Sequence, residues 1–129
     1  MRALVTGGGG FLGGALARKL RERGDDVSVF GRGSYPELEA IGIDAFRGDV
    51  VDADAVKEAV EGVDVVFHVA AKVGLWGDPR EYELVNIEGT KNVIAACMTH
   101  GVAKLVFTSS PSVVFHGGDV EGVDERAPY

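Results

Sequence analysis

The sequence is poor in several features that would restrict its function. Cys97 is the single cysteine, so no internal disulfide can form, and a lone thiol favours a reducing, cytoplasmic setting. No run of about 18 apolar residues occurs, so no membrane span is predicted. Basic residues number 13 against 20 acidic ones, and the net charge is -7. This balance disfavours nucleic acid and anionic lipid as partners, although a helix end can still bind phosphate.

Glycine and short apolar runs are the abundant features. The length of 129 residues fits one domain, and 46% hydrophobic residues are enough to build a core. The 19 glycines lie at discrete turns rather than in a low-complexity tract. The apolar spacing predicts strands over 3–5, 27–30, 43–46, 63–69 and 104–108, and helices over 11–23, 36–40, 52–60 and 81–99. Residues 111–129 are rich in glycine and acidic side chains and are interpreted as a loop.

Regular alternation of strands and helices predicts the fold class. Strands that alternate with helices form a parallel sheet covered on both faces, with right-handed crossovers. The expected architecture is therefore α/β, a doubly wound Rossmann-type sheet with strand order 3-2-1-4-5 and helices on both faces. Ligands bind such sheets in the crevice at the carboxyl ends of strands one and four. No metal site is predicted.

A glycine-rich turn follows the first strand. It contains G-x-G-x-x-G as Gly8, Gly10 and Gly13, and T-G-x-x-G-x-x-G beginning at Thr6. Glycine permits a tight turn, close approach of a diphosphate and close packing of helix on strand, while the helix start offers free N–H groups. The alternative is a glycine-rich turn without a ligand. The predicted phosphate-binding residues are Gly7, Gly10, Phe11, Leu12 and Gly13.

The end of the second strand bears on which dinucleotide would bind. NAD-binding domains usually carry a carboxylate there, which bonds the ribose 2′-hydroxyl. This chain instead has Arg32, followed by Ser34. A guanidinium suits a 2′-phosphate through paired hydrogen bonds, and the serine hydroxyl could add a donor. NADP(H) is therefore predicted in preference to NAD(H), with a solvated loop arginine as the alternative.

Five motifs in order carry a family resemblance. They are Thr6-Gly7-x-x-Gly10-x-x-Gly13, Arg47-Gly48-Asp49-Val50, His68-Val69-Ala70-Ala71, Asn86-Ile87-Glu88-Gly89-Thr90 and Thr108-Ser109-Ser110-Pro111-Ser112-Val113-Val114. In these motifs the whole chain resembles the N-terminal part of extended short-chain dehydrogenases/reductases, in the branch of the epimerases/dehydratases and 3β-hydroxysteroid dehydrogenases. The resemblance implies an NAD(P)-binding domain over 1–110, with 111–129 as its C-terminal loop segment. It also implies a small ketone or secondary alcohol as substrate.

The resemblance further implies roles for single residues. Asp49 should contact the adenine and Val50 should flank it. Ala70 and Ala71 should line the nicotinamide-side ribose and phosphates, and Asn86 should organise the helix beside the site. Ser110 matches the family's catalytic serine, which bonds the substrate oxygen, and Thr108 and Ser109 should support the nicotinamide end.

The family's general acid is the tyrosine of a Tyr-x-x-x-Lys motif, and this chain lacks the motif. Tyr35 is followed four residues later by Glu39, Tyr82 by Asn86, and Tyr129 is the last residue. A positioned acid contributes about 10²–10⁴-fold to rate. The 129 residues alone are therefore expected to bind cofactor without catalysing hydride transfer. By the same resemblance, the helix over 81–99 is expected to form a homodimer interface.

Several alternatives stay open at this stage. The chain could belong to a nucleotide-sugar epimerase or dehydratase that uses NAD, or it could be a non-catalytic dinucleotide-binding module. Asp49 could be a simple turn residue, and Trp76 could touch a substrate or cover apolar surface. Cys97 is interpreted as a core residue, and His68 is assigned no role.

Overall fold

The computed structural model describes residues 1–74, 76–115, 117–118 and 121–128. The predicted loop over 111–129 therefore includes His116, Asp119, Val120 and Tyr129, which lie outside the described residues. The strands are β1 (Arg2–Thr6), β2 (Asp26–Gly31), β3 (Asp44–Arg47), β4 (Val65–His68) and β5 (Lys104–Phe107). The helices are α1 (Phe11–Glu22), α2 (Pro36–Glu39), α3 (Ala53–Val60), α4 (Pro79–Tyr82) and α5 (Gly89–His100). A π-helical segment covers Glu83–Glu88 and a 3₁₀ turn covers Pro111–Val114.

All five strands form one parallel sheet in the order β3-β2-β1-β4-β5, which confirms the predicted topology. β1 is central and pairs on one side with β2 and on the other with β4, so that Thr6 lies opposite both Phe30 and His68. Parallel strands all end at the same edge of the sheet. The carboxyl ends of β1, β2 and β4 therefore meet at that edge, where the crevice was expected.

The sheet carries a separate apolar core on each face. On one face, side chains of β1 and β4 such as Leu4 and Val66 pack with α3 and α5. On the other face, Val5 and its neighbours pack with α1 and α2. This arrangement explains why β1 reads as an unbroken apolar run, since both of its faces are buried. Cys97 lies in the first of these cores, as predicted.

Capping residues lie at the start of α3 and at the end of α5, where the sequence predicted them. The Asp52 carboxylate accepts hydrogen bonds from the amides of Asp54 and Ala55, each at 3.1 Å, and so caps α3. Gly101 ends α5 in the left-handed region, at φ 64°. Among the described residues, no helix is long and apolar enough to cross a membrane.

The predicted helix over 81–99 is not one regular helix. It begins two residues earlier with the single α-helical turn α4, continues as the π-helical segment and becomes α-helical again at Gly89. Apolar spacing could not reveal this, because the wider turns are associated with a contact distant in sequence, between Asn86 and Lys72. β4 is also shorter than the predicted 63–69, and Pro111–Val114 form a 3₁₀ turn within the predicted loop.

Candidate functional site

A cleft of about 900 Å³ lies at the carboxyl edge of the sheet. Fourteen residues that sequence analysis placed in the site line it: Gly7, Gly10, Phe11, Leu12, Gly13, Arg32, Asp49, Val50, Ala70, Ala71, Asn86, Thr108, Ser109 and Ser110. Ser34, which was named as a further donor, is not among the lining residues. They come from six separate stretches of the chain. The topology brings them together, because each stretch follows a strand that ends at this edge or lies in the helical segment beside it.

The glycine-rich turn forms the floor of the cleft and requires its glycines. Gly7 lies in the left-handed region at φ 71°, and its amide donates to the Phe30 carbonyl at 2.8 Å. The Gly10 amide donates to the Gly7 carbonyl at 2.9 Å, which closes the turn. A side chain at Gly13 would collide with that same carbonyl, so α1 packs more closely than any other residue allows.

The first turn of α1 has no side-chain cap. Its N-cap residue is Gly10, which has no side chain to accept a hydrogen bond, and the first turn contains no acidic residue. Phe11 is 99% exposed, so its ring does not cover the helix start. The amide groups and the positive end of the helix dipole are thus available to an anion.

Arg32 and Asp49 lie at the far end of the cleft, beyond the tip of β2. Arg32 is mostly exposed, and its Nη1 is 3.9 Å from Asp49 Oδ2, so the two side chains make only a loose ion pair. Asp49 also accepts from the Val51 amide at 3.2 Å, which means that it supports the turn before α3 and lines the cleft as well. No carboxylate stands at the end of β2 itself.

A network of hydrogen bonds lies beside the cleft at the tip of β4. The Thr6 hydroxyl accepts from the amides of Val69 and Ala70, each at 3.1 Å. The Asn86 side chain bonds both backbone groups of Lys72, with Oδ1 2.7 Å from its amide and Nδ2 3.0 Å from its carbonyl. Asn86 therefore fixes the strand-like course of the loop after β4, in addition to lining the cleft.

Ser110 lies at the other end of the cleft, past β5. Its hydroxyl is 2.8 Å from that of Ser112 and accepts from the Ser112 amide at 3.3 Å, so it caps the 3₁₀ turn. The Thr108 amide donates to the His68 carbonyl at 3.1 Å, which holds this segment against β4. The three-residue run from Thr108 to Ser110 thus lines the cleft beyond the end of β5.

Sequence analysis gave no role to several residues that line or adjoin the cleft, among them Tyr35, Lys72 and Ser112. The ring of Tyr35 lies against Gly9 and Gly33 and lines the cleft, and its hydroxyl accepts from the Gly33 amide at 3.0 Å. Lys72 lines the cleft and pairs with Glu81 at 2.6 Å, a hydrogen bond that raises the pKa of the lysine. Ser112 contacts Ser110. Lys72 and Ser112 had a sequence signal, because Lys72 directly follows the Ala70-Ala71 pair and Ser112 lies in the motif that begins at Thr108.

The fold and the cleft define a Rossmann-type domain of the short-chain dehydrogenase/reductase class. The chain belongs to the 3-beta hydroxysteroid dehydrogenase/isomerase family, which matches residues 4–129. Members of this family are named dehydrogenases and reductases. The family resemblance seen in the sequence is thereby confirmed.

Curated relatives and solved structures extend this assignment. The chain is 50% identical over 98% of its length to a 2-alkyl-3-oxoalkanoate reductase of Shewanella oneidensis, and covers 33% of that protein. It is 53% identical over its full length to a 2-alkyl-3-oxoalkanoate reductase of Stenotrophomonas maltophilia, and covers 40% of it. Among solved structures it resembles a UDP-glucose 4-epimerase of Thermus thermophilus in complex with NAD, with TM-score 0.85 and 34% identity, covering 99% of this chain and 44% of that one.

Proposed function

We propose that this chain is the NADP(H)-binding part of an oxidoreductase that interconverts a ketone and a secondary alcohol. The observation that carries the proposal is the uncapped start of α1, which opens into a cleft between a cation and a serine hydroxyl. Arg32 stands at one end of this cleft and Ser110 at the other. The distribution suits a long anionic dinucleotide with its reactive ring near the serine.

The residues present fit such a cofactor. The glycines leave room where side chains would intrude, since a Cβ at Gly7 would lie 2.9 Å from the Ala70 amide nitrogen. The first-turn amides, from Phe11 to Gly13, would bind the diphosphate. Arg32 would bind the 2′-phosphate in place of the carboxylate that NAD-binding domains usually carry there. The remaining roles are Asp49 and Val50 for the adenine, and Ala70, Ala71, Asn86, Thr108 and Ser109 for the nicotinamide half.

A bound nicotinamide supplies hydride transfer. Ser110 would hold the substrate oxygen by donating its hydroxyl proton, while its own oxygen accepts from the Ser112 amide. An apolar ketone such as a 3-oxoacid or a steroid is the substrate class that the family suggests. The chain spans about a third of the relatives it matches, so this activity is proposed for the whole protein, in the cytoplasm. Without a Tyr-x-x-x-Lys motif, the 129 residues are expected to bind cofactor and not to turn over a ketone.

Fluorescence titration with NADPH and with NADH tests the proposal. NADPH should bind more tightly, and Arg32→Ala should weaken NADPH binding by about tenfold or more, because a charge-assisted hydrogen bond is lost. NADH binding should change by less than about twofold in the same variant. Arg47→Ala is a matched control, because Arg47 is exposed at the tip of β3 and does not line the cleft. Equal loss of both nucleotides in Arg32→Ala, or no binding of either by the wild type, would contradict the proposal.

A nucleotide-sugar epimerase that uses NAD is the second candidate. It is favoured by the close structural match to an epimerase that holds NAD. Arg32 argues against it, because that side chain stands where an NAD-binding domain usually has a carboxylate. Tighter binding of NADH than of NADPH would select this candidate over the first.

A further inference from the structure

A chain of hydrogen bonds passes through His68 and joins two walls of the cleft. His68 is 1% exposed at the end of β4. Its Nδ1 lies 2.7 Å from the hydroxyl of Thr6 on β1, and its Nε2 lies 3.0 Å from the hydroxyl of Thr90 on α5. Sequence analysis gave this residue no role, and the proposed function does not use it.

The protons in this chain can be assigned by counting donors and acceptors. A threonine hydroxyl has one proton and two acceptor lone pairs. Thr6 uses both lone pairs on the amides of Val69 and Ala70, so its proton goes to His68 Nδ1, which carries none. The neutral ring then carries its proton on Nε2 and donates it to Thr90, whose hydroxyl donates to the Asn86 carbonyl at 2.8 Å.

We propose that His68 is a positioning residue of the cofactor cleft, and that it acts as a neutral imidazole protonated on Nε2. In this form it fixes the direction of both threonine hydroxyls. It thereby couples the Val69 and Ala70 amides, at the tip of β4, to the π-helical segment whose Asn86 holds the loop at Lys72. Its effect on cofactor affinity rests on the proposed function, whereas the proton arrangement does not.

The surroundings of His68 favour the neutral ring. The ring of Phe107 packs on it at a centroid distance of 5.8 Å, and burial lowers the pKa of His68. None of the hydrogen bonds and ion pairs found among the described residues joins His68 to a charged group. The ionisable side chains on the elements and the loop that pack around it are Arg2, Lys72, Glu83, Glu88, Lys91, Cys97, His100 and Lys104. Protonating the ring would aim a second donor at Thr6, which has no acceptor left.

Nitrogen-15 NMR of the wild-type chain without nucleotide tests the proton arrangement directly. The expected spectrum has an unprotonated Nδ1 and a protonated Nε2 for His68 at neutral pH. A proton on His68 Nδ1, or a cationic ring at neutral pH, would overturn the proposal whether or not the protein binds a nucleotide.

Two threonine variants test the positioning role. Thr6→Val removes the hydroxyl, and we expect the NADPH dissociation constant to rise at least about tenfold and the His68 tautomers to mix. Thr6→Ser keeps the hydroxyl and should restore the single tautomer, with affinity within about twofold of the wild type. Wild-type affinity in Thr6→Val, or equal damage in Thr6→Ser, would overturn the positioning role. If wild type binds no nucleotide, the proposed function fails, and the tautomer spectrum still decides the proton arrangement.

Discussion

Gly13 shows how tightly the turn and α1 are packed. A Cβ there would collide with the Gly7 carbonyl, which is backbone and cannot move aside without opening the turn. We therefore expect Gly13→Ala to lower the free energy of unfolding by about 1–3 kcal/mol and to abolish NADPH binding. Gly118→Ala is the matched control, since a Cβ at that position meets nothing within 4 Å. Urea unfolding and fluorescence titration give the two measurements, and unchanged binding in Gly13→Ala would count against a close contact here.

The burial of His68 makes stability depend on pH. Its pKa in the fold is lowered from the ordinary value of 6.5, so the unfolded chain takes up a proton at a higher pH than the folded chain does. The contribution of His68 is therefore complete above pH 6.5 and is lost as the pH falls below it, by at most about 1.4 kcal/mol per pH unit. Asp25 and Asp64 have pKa values lowered from 3.8 by hydrogen bonds from Arg23 and Arg2. The stability that they contribute is therefore lost only at a more acid pH than that of His68.

Urea unfolding between about pH 8 and about pH 5 measures this dependence. His68→Asn should flatten the slope below pH 6.5, because it removes the titrating ring, whatever its effect on stability at neutral pH. An unchanged slope in His68→Asn would show that His68 is not the source of the pH dependence of stability.

Residues whose role depends on local backbone geometry could be predicted from the sequence. Gly7, Gly10 and Gly13 indicate the turn that they form, because glycine at that spacing meets the geometric requirements of a tight turn against a helix. Tyr35 and Ser112 could not be found in this way, since each acts through contacts that packing alone creates. His68 was visible as a residue, but its role depends on hydroxyls from two other elements.

At the scale of elements, the N-cap of α3 is the interaction most easily isolated. The Asp52 carboxylate accepts from two amides that have no other partner in the helix. Asp52→Ala should lower the free energy of unfolding by about 1 kcal/mol, within a range of about 0.5–2 kcal/mol. Asp54→Ala tests the charge alone, because Asp54 lies in the first turn of α3 without capping it. This variant should lower the free energy of unfolding by less than Asp52→Ala does. Equal costs for the two variants in urea unfolding would argue against the cap.

The order of elements could be predicted, because buried apolar runs and amphipathic helices alternate without interruption. The interior of the helical stretch predicted over 81–99 could not be predicted. Its apolar residues, such as Val85 and Val93, keep a helical spacing whether the turns between them are α or π. The extra width is associated with the two hydrogen bonds from Asn86 to Lys72, which the sequence does not reveal.

At the scale of the whole molecule, one helical face remains uncovered. Large apolar side chains that are two-fifths or more exposed follow one another along the stretch: Leu84, Ile87, Ile94 and Met98. An exposed apolar patch favours self-association, and the predicted homodimer would bury this one between two copies of the chain. We expect sedimentation velocity to show concentration-dependent self-association, and Met98→Lys, at the most exposed of these positions, to weaken it. Thr99→Lys is a comparison that adds the same charge one residue away, and a monomer at all concentrations would contradict the prediction.

The central place of β1 has a consequence for how the molecule forms. On one side, the Gly7 amide of the glycine turn donates a hydrogen bond to the Phe30 carbonyl of the neighbouring β2. The opposite side depends on Thr6 and His68, which lie 62 residues apart. In a partly folded chain without the contact between Thr6 and His68, one side of the turn would be absent. The binding cleft for a nucleotide would then be incomplete. If the chain binds a nucleotide as proposed, the ligand binds the complete fold alone, and its presence during refolding should shift the equilibrium toward the folded state.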